Sequence, residues 1–219
     1  LLAKVYTRIA SCKRTASQGV IGNELYLNFS ESYQSYYQYA KDHSDSAISG
    51  QGFNLSSSLE DWVAIFDADN GNNQEMVFDV QGSSLSGQGT AVSNLFTPRN
   101  AGLSGSGFGG NNKLKPLFIN NMIDKFDNRY QNSIITQYET ATRQFNINPW
   151  STGYIPTNLE TGNTLGTLWQ VWTAKYIDTE ATTEYTSRQN WHIIRLADVY
   201  LMRAEASAEI LSDPSAANS

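Results

Sequence analysis

Basic side chains, cysteine and long apolar runs are all scarce in this sequence of 219 residues, and each shortage excludes a class of protein. There are 15 Lys and Arg against 21 Asp and Glu, which gives a formal net charge of -6. Affinity for nucleic acid depends on neutralising its phosphates, so a chain without a basic cluster is not expected to bind it. No apolar run approaches the length that spans a bilayer. We therefore predict neither a nucleic-acid partner nor a membrane-spanning helix.

Cys12 is the only cysteine, so the chain forms no internal disulfide and no thiolate zinc cluster. The residues from Ile9 to Cys12 resemble a lipoprotein attachment site, but Lys4 and Arg8 interrupt the apolar core that a signal peptide needs. The same residues suit an amphipathic helix, and free cysteine is usually buried. We predict a buried structural thiol.

Recognisable catalytic and metal-binding patterns are also missing. Neither His43 nor His192 has the spacing of a metal site, and no phosphate-binding or nucleophile-elbow motif is present. Residues 67–71 resemble the start of a calcium loop, but Asn72 and Phe78 stand where an EF-hand needs glycine and glutamate. We predict a solvated turn there, no cofactor and no enzymatic activity.

The spacing of apolar residues predicts several short elements. Helices are expected at Leu1 to about Lys13, Glu31 to about Ile48, Leu59 to Phe66 with Ser58 as its cap, and Pro116 to Phe126. Strands are expected at Glu75 to Gln81, with Met76, Phe78 and Val80 on one side, and at Ser133 to Tyr138. Residues 82–113, rich in Gly, Ser and Asn, and residues 146–168 are predicted loops.

The most regular pattern runs from Asn190 to Ala206 and predicts one amphipathic helix, which Asn190 caps and Asp213-Pro214 terminates. Its apolar stripe recurs at steps of three or four and consists of Ile193, Ala197, Tyr200, Ala204, Ala208 and Leu211. A stripe rich in alanine lets a neighbouring helix approach closely. We therefore expect this helix to pack against another one, as in helix-pair repeats.

The same segment resembles a signature of the SusD/RagB family, the substrate-binding outer-membrane lipoproteins of Bacteroidetes glycan-uptake systems. Ile194–Ala206 is similar to the family segment IRYAEVLLMYAEA. Weaker similarities occur in the family's order along the chain, at Leu1–Tyr6 (LLAKVYL), 39–55 (YA..vi..g.Y.L), Gln74–Gln81 (EiIFeiq), Asp127–Tyr130 (DPRF) and Ala174–Asp178 (KKY.D). Asn128 departs from the family, which usually has proline there. The ordered series indicates membership.

The resemblance implies a mainly α fold, in which a helical (tetratricopeptide-like) repeat scaffold carries long irregular loops and a few short strands. Residues 1–219 would form part of a single SusD-like domain, truncated at both ends. Residues 1–50 and 190–212 would belong to the helical repeats, and 51–189 to a loop-rich ligand side. The resemblance also implies an outward-facing outer-membrane lipoprotein whose N-terminal lipid lies outside this chain. Its partners would be an oligosaccharide or polysaccharide and a SusC-like TonB-dependent transporter.

Aromatic residues in polar loops are the candidates for a glycan site. Sugar rings stack their C–H faces on Trp and Tyr, while Asn and similar side chains bind the hydroxyls. Trp150 and Tyr154 are the predicted platform, with Asn146 and Asn148 as hydrogen-bond partners. Phe108 would be presented at the tip of the glycine-rich loop. Packing over the scaffold is the alternative role for each of these residues.

Two other functions stay open at this point. One is a helical-repeat module whose loops contact a protein, and the less favoured one is a polysaccharide-degrading enzyme, since paired carboxylates are defined by their separation in space. Asp124 and Asp127, beside Arg129, are expected to be solvated or salt-bridged rather than catalytic. Trp169 and Trp172 lie in a more apolar run and are expected to be buried.

Overall fold

A computed structural model describes residues 1–50, 52–85, 87–98, 101, 110–114, 127–135, 137–140, 143–146, 157–158, 172–183 and 185–212. The α-helices are α1 (Leu2–Ser17), α2 (Tyr33–Gly50), α3 (Leu59–Ala64), α4 (Val92–Phe96), α5 (Asn128–Gln131) and α6 (Leu196–Leu211), with 3-10 helices at Glu24–Asn28 and Ala174–Tyr176. The strands are β1 (Met76–Val80), β2 (Gln137–Thr140), β3 (Arg143–Asn146), β4 (Thr157–Asn158) and β5 (Trp191–Arg195). The fold is mainly α, as the sequence predicts. No helix among the described residues has both the length and the apolar content to cross a bilayer.

The chain divides into two compact units. The first comprises Leu1–Leu55, Gln74–Phe78 and Ile193–Ser219, and the second comprises Ser56–Asn73 and Asp79–His192. Strands β1 and β5 form a two-stranded sheet, and β2, β3 and β4 form a separate antiparallel sheet.

The core of the first unit lies where α1, α2 and α6 meet. Ala10, Ala40 and Ala206 are each fully buried, so the three helices approach each other closely, and the rings of Tyr36 and Tyr37 fill the space beside them. This arrangement confirms the prediction that the last helix packs against other helices, and it places the aromatic side chains of α2 in the core. Cys12 is also buried, at 3% exposure, as predicted.

The prediction of a single helix from Asn190 to Ala206 is wrong, because residues 191–195 form strand β5 and α6 begins only at Leu196. The backbone N–H of Leu196 donates to the carbonyl of Glu75, 2.9 Å away, which ties the start of the helix to the β1 region. Asn190 is not the cap. The cap residue is Arg195, and the Asp198 carboxylate accepts the backbone N–H of Arg195 at 2.8 Å. A β-branched Ile193-Ile194 pair suits this strand.

The predicted apolar face of this helix is wrong as well. The buried residues of α6 are Leu196, Val199 and Ala206, whereas Ala204 and Ala208 are exposed. Tyr200 and Leu211 are 40% and 84% exposed. Leu196 and Val199 join Ile194 in a second cluster of the first unit, which also includes Ile48 and Phe53. The strand before α6 and the hydrogen bond from Leu196 to Glu75 set the rotation of α6 about its axis. Sequence periodicity does not contain that information.

The alanines of α6 provide a direct test of this register. We expect Ala206→Leu to lower the free energy of unfolding of the first unit by about 1–3 kcal/mol, because three extra carbon atoms must enter a filled core. Ala204→Leu makes the same chemical change on an exposed site of the same helix and should alter stability by less than about 0.5 kcal/mol. Urea unfolding followed by far-ultraviolet circular dichroism measures both. A larger loss from Ala204→Leu than from Ala206→Leu would support the stripe that the sequence predicts.

Several smaller boundaries also differ from the prediction. Residues 82–113 contain the short helix α4, whose residues Val92, Ser93 and Asn94 are buried. The Ser93 hydroxyl accepts the backbone N–H of Asp178 at 3.2 Å, so a distant segment stabilises this turn. The strand β1 is confirmed; Met76 is buried, whereas Phe78 and Val80 on the same side are more than half exposed.

The strand predicted from Ser133 to Tyr138 begins only at Gln137, because Ile134 instead forms an isolated bridge with Thr173. The other boundaries are closer. Helix α1 extends four residues past Lys13, and α3 ends two residues before Phe66. The helix predicted at 116–126 lies outside the described residues.

The acidic residues of three family-like segments each contact an arginine. Glu75 lies 3.5 Å from Arg195, and Asp127 lies 2.7 Å from Arg129. Asp178 lies 3.0 Å from Arg188. The expected salt-bridged role of Asp127 is confirmed, while Asp124 lies outside the described residues. These motif residues therefore serve the scaffold, which explains why they identify a fold without marking a binding site.

Candidate functional site

Most of the residues predicted to bind a ligand, Trp150, Tyr154, Asn148 and Phe108, lie outside the described residues. Asn146 is the last residue of β3, and its backbone is paired with Gln137 on one side and Thr157 on the other. These five assignments stay predictions. Of the two tryptophans expected to be buried, Trp172 is 3% exposed and so confirmed, and Trp169 lies outside the described residues.

The second unit contains a pocket of about 610 Å³, which we call the Trp62 pocket. One wall is α3 with the turn that follows it, from Leu59 to Asp67. Ala174, Lys175, Ile177 and Asn132 also line it. The volume lies in the range of small-molecule binding sites, and the combination of aromatic and charged side chains is typical of them.

The local sequence explains the aromatic wall. The Ser58 side chain accepts the backbone N–H of Asp61 at 3.0 Å and starts α3, as predicted. Positions four apart lie on the same face of a helix, so Trp62 and Phe66 come together. Their ring centroids are 5.3 Å apart and their planes meet at 73°. Ile65 lies between them in the sequence and is 1% exposed. The rings of Trp62 and Phe66 are only partly buried.

A lysine side chain lies over this aromatic wall. The hydroxyl of Thr173 accepts the backbone N–H of Lys175 at 3.3 Å and caps the 3-10 helix Ala174–Tyr176. The Lys175 Nζ atom then lies 5.3 Å from the centroid of the Trp62 ring and 4.7 Å from that of Phe66. Both distances are within the reach of a cation–π interaction. The pocket therefore holds an ammonium group of the protein itself.

Tyr176, the next residue, belongs to a different aromatic cluster. Its ring centroid lies 4.8 Å from Phe96 and 5.9 Å from Trp191. Trp191 also stacks on Phe96 at 6.1 Å and is 40% exposed. Successive side chains of a 3-10 helix point about 120° apart, so this short element supplies residues to two separate aromatic surfaces. The sequence reading placed Trp191 inside a helix and did not find this cluster.

Gln189 joins the two walls of the Trp62 pocket. Its side-chain amide nitrogen donates to the carbonyl of Phe66 and to that of Ile177, each at 2.9 Å. Gln189 is 1% exposed, so neither bond competes with bulk water. The walls are therefore fixed relative to one another by a buried side chain that does not itself line the pocket.

A buried ion pair fixes the segment that carries Lys175. Asp178 is 2% exposed, and its carboxylate accepts hydrogen bonds from the backbone N–H and side chain of Arg188, the Ser187 hydroxyl and the backbone N–H of Glu180. Burial acts to raise the pKa of Asp178 and is the largest single influence. The hydrogen bonds and charge of Arg188 together outweigh it, so the pKa of Asp178 is lowered. Asp178 is accordingly held as a carboxylate.

The turn that resembled a calcium loop has structural partners. The Asp67 carboxylate accepts the backbone N–H of Asp69 at 2.9 Å, and Asp69 pairs with Arg188. A Cβ atom at Gly71 would lie 2.3 Å from the side-chain amide nitrogen of Asn190, so a larger residue there would force that side chain to move. In the part of the chain that the structure describes, no three His, Cys, Asp or Glu side chains are grouped as metal ligands. Asp67 and Asp69 are exposed, so these residues form a solvated turn of the second unit, as predicted.

Comparisons with known proteins decide the family. The model of the SusD family matches residues 22–218. This chain belongs to the SusD family. Sequence comparison with curated proteins gave no match.

Solved structures of SusD-like proteins share the fold of this SusD-family chain. NanU of B. fragilis has a TM-score of 0.58 at 15% identity, covering 98% of this chain and 40% of its own. Surface glycan-binding protein A from Bacteroides thetaiotaomicron gives 0.58 at 15%, covering 99% and 45%. The same-named protein in complex with laminarihexaose gives 0.55 at 16%, covering 84% and 41%. The chain thus spans less than half the length of these structures.

The Trp62 pocket was not among the sites predicted from the sequence. The sequence does contain a signal for it, because Trp62 and Phe66 stand four residues apart after a helix cap. That spacing predicts that the two rings lie on one face of the helix. It gives no indication that Lys175, more than a hundred residues later, lies over the rings. The family-like segment Ala174–Asp178 contributes both Lys175 to the pocket and Asp178 to its support.

Proposed function

We propose that this SusD-family chain is part of a protein that binds oligosaccharides without catalysis. The observation that carries the proposal is the Trp62 pocket, in which two aromatic rings meet charged and amide side chains. Aromatic faces stack on the C–H faces of sugar rings, and polar side chains bind hydroxyls, so the pocket has both parts of a sugar site. The glycan-binding names of several structurally similar proteins support the same function.

The setting that we propose for the whole protein follows from its family. The protein is an outward-facing lipoprotein of the outer membrane, and this chain is part of a single SusD-like domain within it. It captures oligosaccharide through several weak contacts and delivers it to a SusC-like TonB-dependent transporter. Trp150, Tyr154, Asn146, Asn148 and Phe108 remain the proposed loop contacts, which would extend the binding surface beyond the Trp62 pocket.

The central test is the replacement of Trp62 by alanine. We expect the affinity for a bound oligosaccharide to fall about tenfold, which corresponds to about 1.4 kcal/mol, because the stacking face is lost. Isothermal titration against a panel that includes laminarihexaose, with wild-type and variant chains, measures the change. Tyr185→Ala is the matched control, because Tyr185 is an exposed aromatic residue of the same unit, 60% exposed, and does not line the pocket.

Unchanged affinity in a folded Trp62→Ala variant would remove the pocket from the binding site. Absence of binding to every glycan, together with retention of a transporter in a pull-down, would favour the protein-interaction function instead. Release of reducing sugar from any of the oligosaccharides would revive the enzyme alternative.

A further inference from the structure

The Trp62 pocket holds a positive charge that belongs to the protein itself. The Lys175 ammonium lies 5.3 Å from the centre of the Trp62 ring and 4.7 Å from that of Phe66. We propose that the pocket binds a cationic group of the ligand in the place of this ammonium, and that the ligand is an amino-sugar oligosaccharide with free amines. The inference rests on the proposed function and specifies its ligand class.

The aromatic rings favour a cation over a neutral group at this position. The face of an aromatic ring carries negative quadrupole charge, and the attraction grows as the cation is removed from water. Two such faces, almost perpendicular to each other at 73°, converge on the site of the ammonium. A neutral sugar that stacks on Trp62 must displace the Lys175 ammonium and leaves this attraction unused. A ligand amine replaces it with the same interaction.

The remaining charges of the pocket point to the same ligand class. Besides Lys175, the charged residues in the described part of the lining are Glu60 and Asp67, both acidic. When the lysine side chain leaves, the pocket therefore carries two negative charges and two aromatic faces. This combination attracts an ammonium group and opposes a carboxylate or sulfate. Acidic sugars are accordingly expected to be the poorest ligands.

A movement of the Lys175 side chain carries out the exchange. Lysine has a long stem with several rotatable bonds and a well-hydrated head, so its ammonium can move from the rings to solvent. The walls do not have to move, because buried Gln189 fixes the Phe66 carbonyl and the Ile177 carbonyl through one side chain. The cationic position is thus preformed, with Lys175 as the group that the ligand displaces.

The test compares three sugars of equal length and linkage by isothermal titration. The probes are the glucosamine trimer with free amines, its fully N-acetylated form and cellotriose. We expect the glucosamine trimer to bind at least about tenfold more tightly than either neutral trimer, with a preference that shrinks as salt is added. The double variant Glu60→Gln/Asp67→Asn should reduce the preference several-fold, because the two carboxylates are lost while the aromatic faces remain. Lys175→Met should strengthen binding of the glucosamine trimer several-fold, because the competing ammonium is gone.

A charge-matched control separates the pocket from general attraction to an acidic chain. Asp69→Asn/Glu180→Gln removes the same two charges from exposed sites of the second unit that do not line the pocket. It should leave the preference intact, and an equal loss in both double variants would overturn the inference. Equal affinity for all three trimers would also overturn it while leaving the proposed function standing. If no oligosaccharide binds at all, the proposed function itself fails.

Discussion

Replacement of Asp178 by alanine is expected to lower the free energy of unfolding of the second unit by about 3–5 kcal/mol, because it breaks a buried ion pair from one side. The Asp178 carboxylate is 2% exposed and is the acceptor for Ser187 and Arg188. Its removal leaves these donors buried without the acceptor, which costs more than the loss of the attraction alone. Urea unfolding followed by tryptophan fluorescence measures the effect, since all five tryptophans fall within the residue ranges of the second unit.

Asp69→Ala is the control for this prediction. Asp69 contacts the same Arg188 side chain at 2.5 Å but is itself 67% exposed. An ion pair that faces water is worth at most about 1 kcal/mol, so this variant should be close to wild type. If both variants lose the same stability, the energy lies in the charge of Arg188 and not in the buried hydrogen bonds of Asp178.

The same carboxylate predicts a loss of stability in acid. The pKa of Asp178 is lowered in the folded chain, because the hydrogen bonds and charge of Arg188 together overcome the opposing effect of burial. Its contribution is therefore complete above the pKa of an unfolded aspartate, about 4, and is lost as the pH falls through the lowered folded value. The stability difference between wild type and Asp178→Ala should shrink accordingly below about pH 4. A difference that stays constant to lower pH would contradict the assignment.

Replacement of Tyr37 by alanine is expected to lower the free energy of unfolding of the first unit by about 3–5 kcal/mol. Tyr37 is 1% exposed and lies in the cluster with Ala10, Ala40 and Ala206, where small residues leave its ring as the main filling of the core. The alanine variant leaves a cavity that the rigid helices cannot fill by collapse. Far-ultraviolet circular dichroism is the right measurement, because the three long helices belong to the first unit and its residue ranges contain no tryptophan.

Tyr39→Ala provides the comparison, since Tyr39 belongs to the same helix and is 40% exposed. It should cost much less, on the order of 1 kcal/mol. Burial also raises the pKa of Tyr37, with the charges of Glu209 and Glu205 adding to the effect. The neutral phenol is thus favoured in the folded state. The part of the free energy of unfolding that depends on the neutral phenol should be lost as the pH rises above the pKa of an unfolded tyrosine. A Tyr39 variant as unstable as the Tyr37 variant would place the core elsewhere.

The family could be recognised from sequence because its signature residues make scaffold contacts. Glu75 and Arg195 stand 120 positions apart and form one ion pair, and the Asp198 carboxylate accepts the backbone N–H of Arg195, the cap residue of α6. Such contacts need particular residue types at fixed places in the chain. The loop residues predicted to contact a ligand match no family motif, so the segments that identify the family, apart from the one that supplies Lys175, carry little information about what is bound.

The candidate site was harder to predict for a related reason. The sequence placed Trp62 and Phe66 on one helix face, because their spacing is a local property. It did not place Lys175 over them, or connect Gln189 to the Phe66 carbonyl, because those contacts join residues more than a hundred positions apart. No pattern along the chain specifies which distant lysine will lie over an aromatic ring.

Helices α1 and α2, the buried thiol of Cys12, the Ser58 cap and the family could all be predicted from the amino-acid sequence. These depend on residue types and on spacings of three or four positions, which any stretch of chain carries within it. Three features became visible only in the folded chain: residues 191–195 form a strand, α6 buries Ala206 and not Ala204, and a lysine lies over the rings of the Trp62 pocket. Each of these follows from a contact with a distant segment, and such contacts exist only once the chain has folded.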